Sequence, residues 1–271
     1  MKTSNAMIKN IIASVKIVLL VLWMIIQMPV LIIVHYTKFL MPWYAQFYFK
    51  AVCLILGIRA KIVKGKLADV RKLLILCNHA SYLDIFALNS VIRANFVSKA
   101  DVKKWPLFGW IANLGNTIYI TRNRMDAKNQ INVLDKAFEK RGKTPIIIFP
   151  EGTSSNGCEV LPFKSSMFAM FENQIGTKSN NNIVIQPISM AYVTKRGKSL
   201  NNTQRQVFAW WLDSQTIVNH LFGAVRAMPV GVEIAIHGPI DISKFKDRKE
   251  LAKYCHDIVE DGFNKLINKE A

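Results

Sequence analysis

The sequence predicts an α/β domain, a mostly parallel sheet flanked by helices, preceded by an N-terminal membrane-embedded helical motif. Three observations predict it. From about residue 70 onward, short apolar runs rich in β-branched residues alternate with helix-like segments, the pattern of strands joined by helical crossovers. Ahead of them lies an uncharged stretch, Ile17–Val34, broken by Gln27 and Pro29 alone. As a helix it would be about 27 Å long, close to the roughly 30 Å hydrocarbon core of a bilayer. The positive charge gathers around that stretch, because residues 1–68 hold nine Lys or Arg and no carboxylate before Asp69.

The N-terminal unit comes first in chain order. A second, weaker apolar stretch, Phe39–Ile58, is interrupted by Pro42, Gln46, Lys50 and Gly57 and is rich in aromatic rings (Phe39, Trp43, Tyr44, Phe47, Tyr48, Phe49), which favour the membrane interface. A cleaved signal peptide fits poorly: the apolar run exceeds a signal core of about 7–15 residues, and no small-x-small site follows it. A buried helix of a soluble core is the bland alternative to membrane attachment. Pro29 should kink a helix, and Pro42 should break the next. Basic residues on both flanks place both on the cytoplasmic side. Residues 7–58 are therefore expected to form a bent helical pair dipping into one leaflet, or a tight hairpin. This divides the chain into 1–60, a membrane-associated helical pair, and 61–271, an α/β domain on the cytoplasmic side of the membrane.

Within the body, the expected strands are Leu73–Cys77, Asn95–Ser98, Thr117–Ile120, Pro145–Phe149 and Ile183–Ile188. The expected helices are Leu83–Val91, Val102–Leu114, Asp126–Lys140 and Lys164–Asn173. In the third of these, Ile131, Leu134 and Phe138 follow helical spacing, with Gly142 as a stop. Val232–His237 alternates as a half-buried strand. Lys249–Asn268 carries Leu251, Tyr254, Cys255, Ile258 and Leu266 on one stripe, an amphipathic closing helix. Thr194–Arg205 is basic, polar and Asn-rich, and reads as a loop. The Phe208, Trp210 and Trp211 cluster after it fits either lipid head-group contact or ordinary core.

Composition narrows the partners. Of 271 residues, 51% are hydrophobic and 20% charged, with a net charge of +18. That is too apolar for disorder and points to an anionic partner, nucleic acid or an anionic membrane surface. The apolar N-terminus, and the lack of an aromatic–basic strand motif, argue against nucleic acid. Cys53, Cys77, Cys158 and Cys255 are dispersed, with no C-x-x-C pair and no His cluster, so neither a metal site nor a disulfide framework is expected.

Chemistry concentrates at strand ends. The first strand of the body runs into Asn78-His79-Ala80-Ser81-Tyr82-Leu83-Asp84, and α/β sheets place sites at the carboxyl ends of strands. On one continuous helix, His79 and Asp84 would diverge by roughly 140°. They meet only if His79 precedes the helix, with Ser81 as N-cap and Asp84 near the third helical position. A carboxylate on one imidazole nitrogen fixes the tautomer and makes the other nitrogen a better base, able to take a proton from a hydroxyl. The alternative is a plain capping box, Ser81-x-x-Asp84, beside a satisfied histidine.

A second constellation, Phe149-Pro150-Glu151-Gly152-Thr153-Ser154-Ser155, follows another buried strand. Gly152 permits a tight turn whose amides and hydroxyls can hold an anion or a polyol; an ordinary strand-to-loop turn is the alternative. Arg122, after Thr117–Ile120, is suited to bidentate phosphate binding, and Lys164 can neutralise a phosphate. Either can equally be a surface cation.

These blocks, in this order, resemble the glycerophospholipid acyltransferase family, in particular bacterial 1-acylglycerol-3-phosphate acyltransferases. Asn78, His79, Ser81 and Asp84 match the family's Asn-His-x-Ser-x-x-Asp block. Gly115–Arg122 resembles its arginine block, Phe149–Thr153 its Phe-Pro-Glu-Gly-Thr block, and Ile183–Ile188 its hydrophobic Pro block. The resemblance covers about residues 70–190. It implies His79 as general base, Asp84 as its partner, and Arg122, Glu151, Gly152, Thr153 and Lys164 at the acceptor. It implies acyl transfer from acyl-CoA or acyl-acyl carrier protein to lysophosphatidic acid, giving phosphatidic acid, with no bound cofactor and no metal. Two positions depart from the pattern: Ser154 and Ser165 stand where many relatives have Arg and Gly. The Phe208–Trp211 segment is similar to that of lyso-ornithine lipid acyltransferases, a close branch, so lyso-ornithine lipid is the alternative acceptor. The alternative outside enzymes is a membrane-surface binding protein.

Overall fold

The computed structural model describes residues 2–37, 40–99, 117–120, 127–172, 174–177, 183–210 and 216–269. Two helices come first, α1 (Lys2–Thr37) and α2 (Met41–Leu56). They pair antiparallel. Tyr44 Oη donates to the Gln27 carbonyl at 3.0 Å, Trp23 lies against Phe47 and Tyr48, and Lys16 Nζ donates to the Leu56 carbonyl at 2.6 Å. α1 continues as helix through Pro29, the position where a kink is expected. One expectation needs correction. Pro42 starts α2 rather than breaking it, because in the first turn its missing N–H has no intrahelical partner to lose. Gly57 closes α2 in the left-handed region, with φ 91°.

The sheet follows: β1 (Ile58–Lys64), β2 (Leu73–Cys77), β3 (Asn95–Lys99), β4 (Ile118–Ile120), β5 (Ile146–Ile148), β6 (Val184–Lys195), β7 (Lys198–Ser199) and β8 (Val230–Ile236). Its spatial order is β1-β8-β6-β2-β5-β3-β4, with β7 on the far part of β6. β6, β2, β5, β3 and β4 run parallel. β8 is antiparallel to β6, and β1 is parallel to β8. The helices are α3 (Leu83–Val91), α4 (Ala127–Arg141), α5 (Asn202–Gln206), α6 (Ile217–Ala227) and α7 (Arg248–Asn268), with a 3-10 turn at Ser165–Phe171.

Alternation along each strand builds two cores. Leu73, Ile75 and Cys77 face one side with α2 and α3, while Leu74 and Leu76 face the other with α4 and α7. β2 is buried at every position, as a strand covered on both faces must be. Each fully buried Leu or Ile contributes about 1.5–3 kcal/mol, so this double layer holds the sheet's centre rigid beneath the site.

Several boundaries differ from expectation. β1 was not anticipated: Arg59, Lys61 and Lys64 hide the Ile58, Ala60, Ile62 alternation. Thr194–Arg205 is not a loop. β6 extends to Lys195, Arg196-Gly197 turn with φ 52° and 80°, and α5 starts at a capping box of Asn201 and Gln204. Two consecutive positive φ values suit the right-handed twist of a hairpin. Lys164–Asn173 is a 3-10 helix over Ser165–Phe171 rather than an α-helix. The helix expected at Val102–Leu114, and Trp211, lie outside the described residues. Phe208 is core: it is fully buried and stacks on Tyr192.

Candidate active site

β2 ends at Cys77, and the next residue clamps the strand to its neighbour. Asn78 donates through Nδ2 to the Met190 carbonyl at 2.9 Å, and its Oδ1 accepts from Met190 N at 2.8 Å. The chain then leaves the sheet at His79 and turns before α3, which starts at Leu83. His79 Nδ1 meets Asp84 Oδ2 at 2.8 Å. The same oxygen accepts from Ala80 N at 2.7 Å and Ser81 N at 2.9 Å. Asp84 is fully buried, and a buried carboxylate requires such a set of donors.

The two sequence readings therefore coincide. Asp84 reaches back to the Ser81 amide, as the far half of a capping box does, and holds the imidazole with the same atom. The near half differs: Ser81 Oγ accepts from Leu83 N at 3.3 Å, and the helix begins later than a Ser81 cap would start it. Because Oδ2 is an acceptor, the Nδ1 proton is assigned to this bond. Nε2 is left as the basic nitrogen, in a side chain 20% exposed.

The second turn arrives from β5. Phe149 stacks on the His79 ring, centroids 4.1 Å apart and 17° from parallel, so the imidazole plane is set from both edge and face. Glu151 is buried, and its carboxylate turns inward: Oε1 accepts from His79 N at 2.8 Å and Oε2 from Leu161 N at 3.2 Å. Burial pushes this carboxyl up to about 8, against the pull of its two amide donors. Ser155 N donates to the His79 carbonyl at 2.8 Å. The Glu151 turn thus braces the backbone that carries the histidine.

Gly152 has φ 70°, a conformation that favours glycine, and its N–H closes the turn onto the Phe149 carbonyl. Among the described residues, the Thr153 and Ser154 amides donate to no protein acceptor. They are the turn's available donors, and Thr153 is exposed. Lys164 is exposed beside the same turn, its amide donating to the Pro150 carbonyl at 3.0 Å. Arg122 lies outside the described residues. The fold thus gathers His79, Asp84, Glu151, Gly152, Thr153 and Lys164 at the carboxyl ends of β2 and β5. Among the described residues, no group of His, Cys, Asp or Glu could hold a metal.

Sequence reasoning missed three contributors. Asn78 acts as the clamp on β6 and Phe149 as the ring beneath the histidine; both stand inside the quoted motifs. Tyr192 donates through its hydroxyl to Asp84 Oδ1 at 2.6 Å. It lies on β6 four residues past the Ile183–Ile188 block, and no local signal marks it.

The chain is similar to known proteins in sequence and in fold. A family model, Acyltransferase, matches residues 61–191. The lyso-ornithine lipid O-acyltransferase of Rhodobacter capsulatus is 34% identical over 209 residues, 77% of this chain and 71% of that protein. The 1-acyl-sn-glycerol-3-phosphate acyltransferase of Neisseria gonorrhoeae is 36% identical over 95 residues, 35% of this chain and 37% of that protein. The crystal structure of the 1-acyl-sn-glycerophosphate (LPA) acyltransferase PlsC from Thermotoga maritima superposes with a TM-score of 0.59 at 21% identity, covering 94% of this chain and 97% of that one. At that identity the likeness establishes the fold.

Proposed function

The chain belongs to the acyltransferase family that includes these lysolipid-acylating enzymes, and from that premise we propose that it moves a fatty acyl group from a thioester to the free hydroxyl of a membrane-resident lysolipid. The observation that carries the proposal is the buried Asp84 holding His79 at 2.8 Å on the carboxyl edge of the sheet. Nε2 takes the hydroxyl proton as the acceptor oxygen attacks the thioester carbonyl. The C–O bond forms, and the carbonyl becomes an oxyanion. Collapse breaks the C–S bond, and the imidazolium returns the proton to the leaving thiolate. Asp84 stabilises that imidazolium, a role that complements the transient charge. The Thr153 and Ser154 amides are the candidate oxyanion donors. The donor is acyl-CoA or acyl-acyl carrier protein; either supplies the thioester, and the step needs no further cofactor.

Lyso-ornithine lipid is the acceptor we place first. The chain matches 71% of the Rhodobacter lyso-ornithine lipid enzyme but 37% of the Neisseria phosphatidate-forming one. Ser154 stands where many relatives have arginine and supplies no cation to a phosphate. Lysophosphatidic acid is the second reading, favoured by Lys164 standing exposed beside the Glu151 turn.

We place the protein on the cytoplasmic face of the inner membrane. α1 holds a segment, Ser4–Tyr36, long and apolar enough to cross a bilayer. It is paired with α2 through Lys16, Trp23 and Gln27 and packs against α6 of the body. That docking supports insertion into one leaflet over crossing. Product analysis by mass spectrometry, offering both acceptors with both donors, tests the assignment. Ornithine lipid as product supports the first reading and phosphatidic acid the second. No acyl ester from either acceptor would refute both.

A further inference from the structure

Tyr192 lies in the middle of β6, 1% exposed. Its ring is clamped by Phe208, stacked 5.6 Å away at 13°. Its carbonyl accepts from Arg205 Nε at 2.9 Å. That buried guanidinium is fixed in turn by Asn202 Oδ1 at 2.8 Å and the Leu200 carbonyl at 3.2 Å. Backbone and ring are thus both immobilised, and the hydroxyl is delivered to Asp84 Oδ1 at 2.6 Å. Asp84 uses its other oxygen for His79 and two amides. A buried phenol needs a partner, but packing alone does not require that partner to be the second oxygen of the carboxylate that orients the histidine.

We propose that Tyr192 is a positioning residue for the acyl-transfer reaction, the third member of a Tyr192–Asp84–His79 chain, acting on the chemistry through Asp84. This rests on the reading of His79 as the general base. Two effects follow from the geometry. The Tyr192 hydrogen bond fixes the rotation of the carboxylate, so that Oδ2 faces both Nδ1 and the Ala80 and Ser81 amides at once. It also draws charge from the carboxylate. That moderates its hold on an imidazolium that must return a proton to the leaving thiolate in every turnover. Among the described residues, other titratable groups also influence this carboxylate or its tyrosine. Cys77 and Glu151 come from the strand ends, His220 from α6 and Cys53 from α2, with Tyr82 also near Tyr192. Burial holds the Tyr192 phenol well above its ordinary range, with Asp84 adding to the effect, so it remains a proton donor at physiological pH.

The test is the pH dependence of kcat/KM in the full-length, membrane-reconstituted enzyme, for wild type, Tyr192→Phe and His79→Ala. Tyr192→Phe keeps the ring and its Phe208 stack and removes the hydroxyl. Without that donor the carboxylate holds the imidazolium proton more tightly. The acid limb should move up by about half a pH unit or more, and plateau kcat should fall about tenfold with little change in KM. A residue that merely packs would lower Tm and leave the limb in place; that result overturns the proposal. Should Tyr192→Phe fail to fold, 3-fluorotyrosine at position 192 preserves the shape with a more acidic phenol. The limb should then move down, and an unmoved limb overturns the proposal as well. A His79→Ala enzyme with near-normal turnover would instead refute the general-base reading. An inactive His79→Ala beside an unshifted Tyr192 variant refutes the tyrosine's role alone.

Discussion

At the scale of single residues, the site is a problem of holding a ring still. His79 is gripped at its edge by Asp84, on its face by Phe149 and through its backbone by Glu151. Replacing the imidazole should remove the chemistry and one donor to a buried carboxylate: His79→Ala is expected to lower kcat about 10²–10⁴-fold and to cost about 1–3 kcal/mol of stability, as a lysolipid acylation assay and calorimetry together would register. Glu151 leads to a pH effect of the opposite kind. Its folded-state value, about 8, stands above the ordinary 4.5, so the folded protein binds this proton more tightly than the unfolded chain. Its contribution to stability is complete below about 4.5 and declines as pH rises toward 8. Glu151→Gln should flatten the fall in Tm between pH 5 and 8, by about 2–4 °C for each kcal/mol removed. Parallel pH slopes for the two proteins would contradict this account.

At the scale of elements, the site depends on β6 as much as on the motif-bearing loops. Asn78 fastens β2 to Met190, Tyr192 reaches Asp84, and Phe208 backs Tyr192. Phe208→Ala should destabilise the fold by about 3–5 kcal/mol, measurable by denaturant titration. It should also reduce turnover, although the ring lies outside every catalytic motif. This explains what the sequence could and could not disclose. Leu73–Cys77 was readable because an unbroken apolar run is a local signal, and Leu83–Val91 because a helical crossover is expected between successive strands; both match the observed elements. His79 and Asp84 were readable because one seven-residue block, Asn78 to Asp84, holds both. Tyr192 was not, because its partner lies 108 positions away and a tyrosine in a strand has no local mark of function. β1 and the Arg196-Gly197 hairpin were obscured for another reason. Their basic side chains outweigh a weak alternation in one case and replace the usual Asn-Gly turn in the other.

At the scale of the whole molecule, an apolar slab is attached to a basic body. Ile25, Ile26 and Ile33 on α1 are each more than 60% exposed, while Ala13 and Leu20 are buried against the body. Replacing Ile25 and Ile26 together by Lys should release the protein from anionic vesicles in a flotation assay while leaving Tm within experimental error. Retention of both lysines' variant on the vesicles would argue against α1 as the inserted surface. The remaining attraction should weaken with salt, as the +18 charge implies. The exposed apolar face of α1 has a kinetic corollary. On the membrane placement proposed above, the enzyme meets its acceptor by lateral diffusion in two dimensions. Its velocity then follows the acceptor's mole fraction in the surface rather than its molarity in the tube, so spreading a fixed amount of lysolipid through more inert bilayer slows the reaction.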